Sequence, residues 1–305
     1  MGIFNALWPI VNQGPLAVLV FWSISGFIFA YVYRFEGKIS LRRYFVHRFS
    51  RLYPLHLITL LIVASLQLFA TAKFHEQLIY QANDLHNFGL HLFFLSGWVG
   101  SQDSFNAPIW SVSVELAVYV AFFLALRLIG INWVSTTLML GFSAVLMIGT
   151  DSLIPVCGFY FFSGVAAWIV LFNIEKASEK AIPLIVVLVL GILPVIVGFY
   201  LPGLPLTLLL SPLLFSILCT IGYFEQRLPK LAFLGPVGNI TYSIYLLHTP
   251  LQMIFILAML AGLVPAASIV HPFAPLAYIA VLTVAGLLCF QYIEKPAQRY
   301  LRRLA

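Results

Sequence analysis

The stretch "SFNAPIWSVSVELAVYVAFFLAL" (residues 104–126) decides the fold. It runs 23 residues with one charge, Glu115, at its centre. About 20 apolar residues in an α-helix cross the hydrocarbon core of a bilayer. The length is therefore that of a membrane span, and the carboxylate is the anomaly. The rest of the chain agrees with a span. It is 62% hydrophobic and 9% charged, with a mean hydropathy of +1.02, whereas a soluble domain carries about 25% charged residues.

Further uncharged runs cover 1–33, 52–72, 128–150, 152–174, 181–223 and 231–293. The runs at 181–223 and 231–293 are long enough for two spans each, broken at "FYLPGLPL" (199–206) and "AGLVPAAS" (261–268), where Pro and Gly interrupt the pattern. The short alternating strands of a membrane β-barrel are not the pattern here. The expected fold is an all-α integral membrane protein, a polytopic helical bundle forming a single domain over 1–305. It would have about nine spans, near 15–33, 51–72, 109–129, 132–150, 155–173, 182–200, 205–223, 238–262 and 272–293. "HNFGLHLFFLSGW" (86–98) is too short to cross and reads as re-entrant or interfacial.

Basic residues stay on the cytoplasmic side of a membrane protein. Arg34, Lys38, Arg42, Arg43, Arg48 and Arg51 cluster before the second span, and Arg127, Lys176, Lys180, Arg227 and Lys230 fall on loops of the same side. Lys295, Arg299, Arg302 and Arg303 form the tail, which leaves Lys73 on the other side. The net charge of +6 is thus cytoplasmic-face bias rather than a nucleic-acid signal. The C-terminus is expected in the cytoplasm of an inner (plasma) membrane protein, and nine spans then put the N-terminus outside. Cys157, Cys219 and Cys289 lie inside expected spans without metal or disulfide spacing and read as packing residues.

Polar groups inside the apolar runs are the candidate site. Ser111, Glu115 and Tyr119, at i, i+4 and i+8, share one helix face. A carboxylate at a span's centre costs about 2.5–3.5 kcal/mol on insertion scales, so that face must look inward. It either hydrogen-bonds a neighbouring helix or lines a functional cavity. In "NITYSIYLLHTPLQ" (239–252), Thr241, Tyr245, His248 and Gln252 form a second stripe, either interhelical hydrogen bonding or an acid/base site at His248. In "SLRRYFVHRFSRLYPLH" (40–56), Arg48 and Arg51 are spaced i, i+3. They read equally as a topology anchor against anionic lipid or as a phosphate site for guanidinium forks. No close His/Asp/Glu cluster has ligand spacing, so no metal is expected. "QYIEKPAQRYLRR" (291–303) reads as a membrane-boundary anchor.

Taken together these stretches resemble the membrane-bound acyltransferase 3 family, whose members O-acylate surface polysaccharides, peptidoglycan, antibiotics and lipids. "VLVFWSISGFIFAYVY" (18–33) is similar to the family's "LFFVLSGFLI" helix, and "YFVHRFSRLYPLH" (44–56) to its segment with the RxxR pair, here Arg48 and Arg51. "NFGLHLFFLSGW" (87–98), "APIWSVSVELAVY" (107–119), "LGPVGNITYSIYLLHTPL" (234–251) and "YIEKPAQRYL" (292–301) match four further elements in the family's order. Family members begin with one further helix, carrying an Arg about ten residues before a His that is proposed as the catalytic base. No His precedes His47 in this sequence. That helix is therefore expected to be absent from these 305 residues, through either a start placed too late or a degenerate member. Its absence would also explain an outside N-terminus.

The resemblance implies transfer of an acyl group, acetyl foremost, from acyl-CoA to a hydroxyl of a cell-envelope glycan or related acceptor. The partners it implies are acyl-CoA, a carbohydrate or lipid-linked glycan, and membrane lipids, with no nucleic acid. It puts Arg48 and Arg51 on the CoA phosphates and Glu115 beside the base, with Ser111 and Tyr119 hydrogen-bonding nearby. His248 and Tyr245 would line the acceptor or acyl path, and His56 is a fallback base. A transporter or flippase of a glycan, lipid or acyl unit is the rival of another class, with Glu115 and His248 as path residues. An inactive, truncated family member is the third reading.

Overall fold

The computed structural model describes residues 14–33, 39–99, 103–176, 206–225, 235–265 and 271–304, with single positions between 185 and 196 and at 267–268. Among them every regular element is helical. In chain order these are α1 (Gly14–Tyr33), α2 (Leu41–Phe74), α3 (Leu85–Leu92), α4 (Ser96–Val99), α5 (Ile109–Leu128), α6 (Trp133–Gly149), α7 (Leu153–Lys176), α8 (Leu206–Glu225), α9 (Gly235–Leu260) and α10 (Ala274–Cys289), then a π-turn (Phe290–Glu294) and α11 (Lys295–Arg302).

Six helical stretches are long and apolar enough to cross a membrane: Gly14–Tyr33, Leu41–Phe74, Ile109–Leu128, Leu153–Ile174, Gly238–Leu260 and Ala274–Arg302. Two shorter apolar helices are Trp133–Gly149 and Leu210–Gly222. The span expected at 182–200 falls almost entirely outside the described residues. The segment at 86–98 forms two short helices, as its length requires.

α2 starts ten residues before the expected span. The Ser40 hydroxyl accepts from the Arg43 amide and so satisfies an orphan donor at the helix start. The basic segment is thereby helix rather than loop, and Arg48 and Arg51 ride two to three turns inside it. Pro54 is tolerated within this long helix. α11 is short and strongly amphipathic, with Arg299 and Arg302 in its last turn.

The chain divides into two compact units. One is drawn mainly from Ile39–Ser113 and Phe233–Ala305, the other from Leu7–Lys38 and Val114–Ala232. In the first, α2 packs on α9 and α11, and α9 on α10. Leu60, Val63, Phe105 and Met253 form its buried apolar cluster. Polar ties lock the register: the Tyr242 hydroxyl donates to the Leu52 carbonyl at 2.6 Å. Asn106 Nδ2 donates to both Thr59 Oγ1 (3.0 Å) and the Leu246 carbonyl (3.1 Å). Leu52 to Thr59 on α2 thus runs alongside Tyr242 to Leu246 on α9, both helices starting at the same end.

In the second unit, α7 packs on α1, α6 and α8. The α1–α7 crossing is backbone on backbone: a Cβ on Gly26 would lie 1.8 Å from the Phe161 carbonyl oxygen, and one on Gly164 would lie 1.9 Å from the Ser23 oxygen. Only glycine permits that approach. Phe29, Tyr33, Tyr119, Phe122, Phe161 and Phe162 interlock beside it in stacked and edge-on pairs.

Candidate functional site

The two units hold different parts of the expected site. α5 contributes its first turns, with Ser111, to the first unit and the rest, with Glu115 and Tyr119, to the second. All three side chains on the stripe are buried, with Glu115 0% exposed, which is the inward orientation that lipid demands of a carboxylate. Tyr119 stacks on Phe29 with ring centroids 4.4 Å apart, and its hydroxyl lies 3.4 Å from Ser25 Oγ. Cys157, also fully buried, is within electrostatic reach of Glu115.

Within the first unit the structure joins the two stripes. Ser111 Oγ is 2.8 Å from Tyr245 Oη, and the Tyr245 hydroxyl donates to the Pro108 carbonyl at 2.7 Å. Ser111 Oγ also reaches the Pro108 carbonyl, at 3.2 Å, so both hydroxyls share that acceptor. His248 Nδ1 lies 2.6 Å from the Tyr245 carbonyl. A carbonyl only accepts, so Nδ1 carries the proton and Nε2 carries the lone pair of neutral imidazole. Tyr278 braces the same turn by donating to the His248 carbonyl at 2.8 Å. The ring is half-buried, and its tautomer is anchored by the bond to the Tyr245 carbonyl.

The stripe on α9 is corrected at its ends. Thr241 and Gln252 are exposed, and Thr241 turns back to the Gly238 carbonyl. The buried polar residues of α9 are Tyr242, Ser243 and Thr249, because the helix meets α2 and α10 along that adjacent face. Arg48 and Arg51 are half-buried on α2.

A second polar centre has little signature in the sequence. His56 Nε2 donates to the His91 carbonyl at 2.8 Å, and His91 Nε2 pairs with Ser104 Oγ at 2.9 Å. Both rings are fully buried, and neither Nδ1 has a hydrogen-bond partner among the described residues. Phe94 lies against His56, ring centroids 4.4 Å apart, and holds φ at +57°. A bulky residue in the left-handed region signals a strained, over-determined loop. His91, on α3 outside the spanning helices, is pushed down to about 3 by burial and then by neighbouring His56. Its place in the "NFGLHLFFLSGW" element is the only sequence signal of it. Glu294 is more than the membrane-boundary residue its sequence context suggests. It is 1% exposed, accepts the Ser243 hydroxyl, and lies within electrostatic reach of Arg51. Among the described residues no three His, Cys, Asp or Glu side chains gather as a metal site.

A helical membrane protein with an anchored imidazole, buried hydroxyls and a buried carboxylate has the parts of an acid–base enzyme. Residues 2–293 match the acyltransferase 3 family, an acyltransferase domain, and the chain belongs to that family. It is also similar to the acyltransferase MdmB of Streptomyces mycarofaciens, with 35% identity over 128 residues. That alignment takes in 41% of this chain and 32% of MdmB, so it spans about a third of the relative's length. No solved structure matches the chain.

Proposed function

We propose that this protein transfers an acyl group, most simply acetyl, from acyl-CoA to a hydroxyl of a cell-envelope glycan or related acceptor. It would do so from the inner membrane, with nine crossings and a cytoplasmic C-terminus. The observation that carries the reading is the His248 imidazole, whose Nδ1–H is tied to the Tyr245 carbonyl so that Nε2 is left as the base.

In this reading His248 Nε2 takes the acceptor's hydroxyl proton as the oxygen attacks the thioester carbonyl. The C–O bond forms, the C–S bond breaks, and the proton passes on to the departing CoA thiolate. The hydroxyls of Ser111 and Tyr245, whose protons now face the Pro108 carbonyl, would have to turn them toward the oxyanion that develops on the thioester carbonyl oxygen to stabilise it. Arg48 and Arg51 take the CoA phosphates, for which guanidinium forks are matched donors. Glu115 and Tyr119 are kept as site residues, Glu115 because a fully buried carboxylate in a membrane helix is costly without a role.

The test is release of free CoA thiol from acetyl-CoA by the purified protein, with and without glycan acceptor. Acceptor-dependent release with a labelled acetyl ester on the acceptor supports the reading. Movement of a glycan across vesicles with acetyl-CoA left intact would replace it by transport.

A further inference from the structure

Pro296 has no amide proton, and its ring crowds the carbonyl four residues earlier, which disfavours a regular α-helix through this point of the last apolar helix. The chain answers with the π-turn Phe290–Glu294, closed by the Lys295 amide donating to the Phe290 carbonyl. Turns of this kind recur at functional sites. Two α-turns beyond buried Gly286, at 3.6 residues per turn, the inward position falls between Ile293 and Glu294. The extra residue of the π-turn moves it onto Glu294, which is buried while Ile293 is only half-buried.

The turn packs against α2 and α9. From α9, Ser243 donates to Glu294 Oε1, and from α2, the charge of Arg51 reaches the carboxylate. Oε2 is buried and accepts no hydrogen bond from the described residues. A buried carboxylate oxygen is expensive unless a donor meets it. The guanidinium of Arg51, with five N–H donors, is a cation within electrostatic reach. Pairing of Arg51 with that carboxylate would remove rotamer freedom from a long side chain that would otherwise lose it only on binding a ligand.

We propose that Glu294 is a positioning residue: held by Ser243 and the π-turn, it fixes Arg51 so that the guanidinium presents its remaining donors to the phosphates of the acyl donor. This rests on the acyl-CoA reading above. It assigns the buried end of the last span a role in donor affinity rather than in anchoring alone. Glu294 touches neither acceptor nor thioester in this account, so its loss acts on donor binding and leaves the chemical step largely intact.

The experiment is a double-mutant cycle on the purified full chain, reading desulfo-CoA affinity and the KM and kcat for acetyl-CoA. Glu294→Gln keeps the shape and an acceptor for Ser243 while removing the charge. It is expected to weaken desulfo-CoA binding and raise KM about tenfold, with kcat within about threefold. Arg51→Ala is expected to do at least as much, and adding Glu294→Gln to it to do nothing further, since coupled residues are non-additive. Glu294→Asp should recover part of the affinity. Additive effects in the double variant, or unchanged binding in Glu294→Gln beside a wild type that binds, would overturn the inference alone. Absence of desulfo-CoA binding by the wild type would overturn the acyl-CoA reading and this inference with it. Should Glu294→Gln fail to fold, Ser243→Ala keeps the charge and frees the carboxylate, and normal affinity there would equally count against it.

Discussion

Glu115, His248 and His91 make separable claims at the scale of one residue. Glu115→Gln removes the charge without changing shape, and transfer is expected to fall by roughly 10²-fold or more while membrane insertion stays normal. Normal transfer by that variant would remove Glu115 from the site. His248→Gln is expected to cost about 10²–10⁴ in kcat, the span of a lost general base. Tyr245→Phe keeps the ring and breaks the Ser111–Tyr245–Pro108 chain. It should cost less than His248→Gln, and a larger loss would shift the base assignment. His91 makes a pH prediction. It is held down to about 3 in the fold against about 6.5 unfolded. Between those values the unfolded chain binds the extra proton, so stability rises with pH and is lost as pH falls below about 6.5. The slope from this one group approaches 1.4 kcal/mol per pH unit. Thermal unfolding of the detergent-solubilised protein at pH 7 and pH 5 should show the loss, and His91→Gln should flatten it; equal slopes would mean His91 is not buried neutral.

The elements explain which parts of this molecule can be read from its sequence. Helix positions are legible because lipid enforces a simple rule, about 20 apolar residues per crossing: α1, α5, α6, α7, α8 and α9 fall within a few residues of the runs that announce them, though α6 and α8 are not among the six helices long and apolar enough to cross. The start of α2 is not, since a cap at Ser40 extends helix through ten residues (41–50), rich in charged and aromatic side chains, that hydropathy leaves outside the span. Nor is the π-turn, whose cause, Pro296, is visible but whose effect on Glu294 needs the helix phase. The buried histidine pair escapes because His56 and His91 sit 35 residues apart and meet only through tertiary packing. The "WSISGF" stretch of α1 stands out as a motif, yet its physical content is the backbone contact of Gly26 with α7. Gly26→Ala and Gly164→Ala must therefore push two helices apart, and overpacking of this kind costs about 1–3 kcal/mol or more. A Cβ added to Gly141 on α6 would meet nothing within 4 Å, so Gly141→Ala is the control and should match or slightly exceed wild type. Equal melting temperatures for Gly26→Ala and Gly141→Ala would refute the close crossing.

Across the whole molecule, length and charge give an expected setting in the bilayer. α2 has 34 residues, about 51 Å at 1.5 Å per residue, well beyond the roughly 30 Å of a hydrocarbon core. Its charges resolve the excess. Arg42, Arg43, Arg48 and Arg51 occupy the first three turns, and 22 residues, about 33 Å, separate Arg51 from Lys73. Lys73 ends the helix with its ammonium 5.5 and 5.4 Å from the Phe69 and Phe74 rings, an aromatic setting suited to the opposite interface. The C-terminal helix returns to the basic end, where Arg42 donates to the Leu304 carbonyl and Arg302 Nε to Ser50 Oγ at 3.3 Å. The start of α2 and the tail thus share one end, and its basic residues make it the end expected in the cytoplasm. In a background with Cys157, Cys219 and Cys289 replaced by Ala, a cysteine at position 73 should react with a membrane-impermeant maleimide in intact cells. A cysteine at 303 should react only after permeabilisation. Labelling of both from the same side would mean that α2 does not cross the membrane, and reversed labelling would place Arg48 and Arg51 away from the compartment that holds CoA, removing the donor role proposed for them at once.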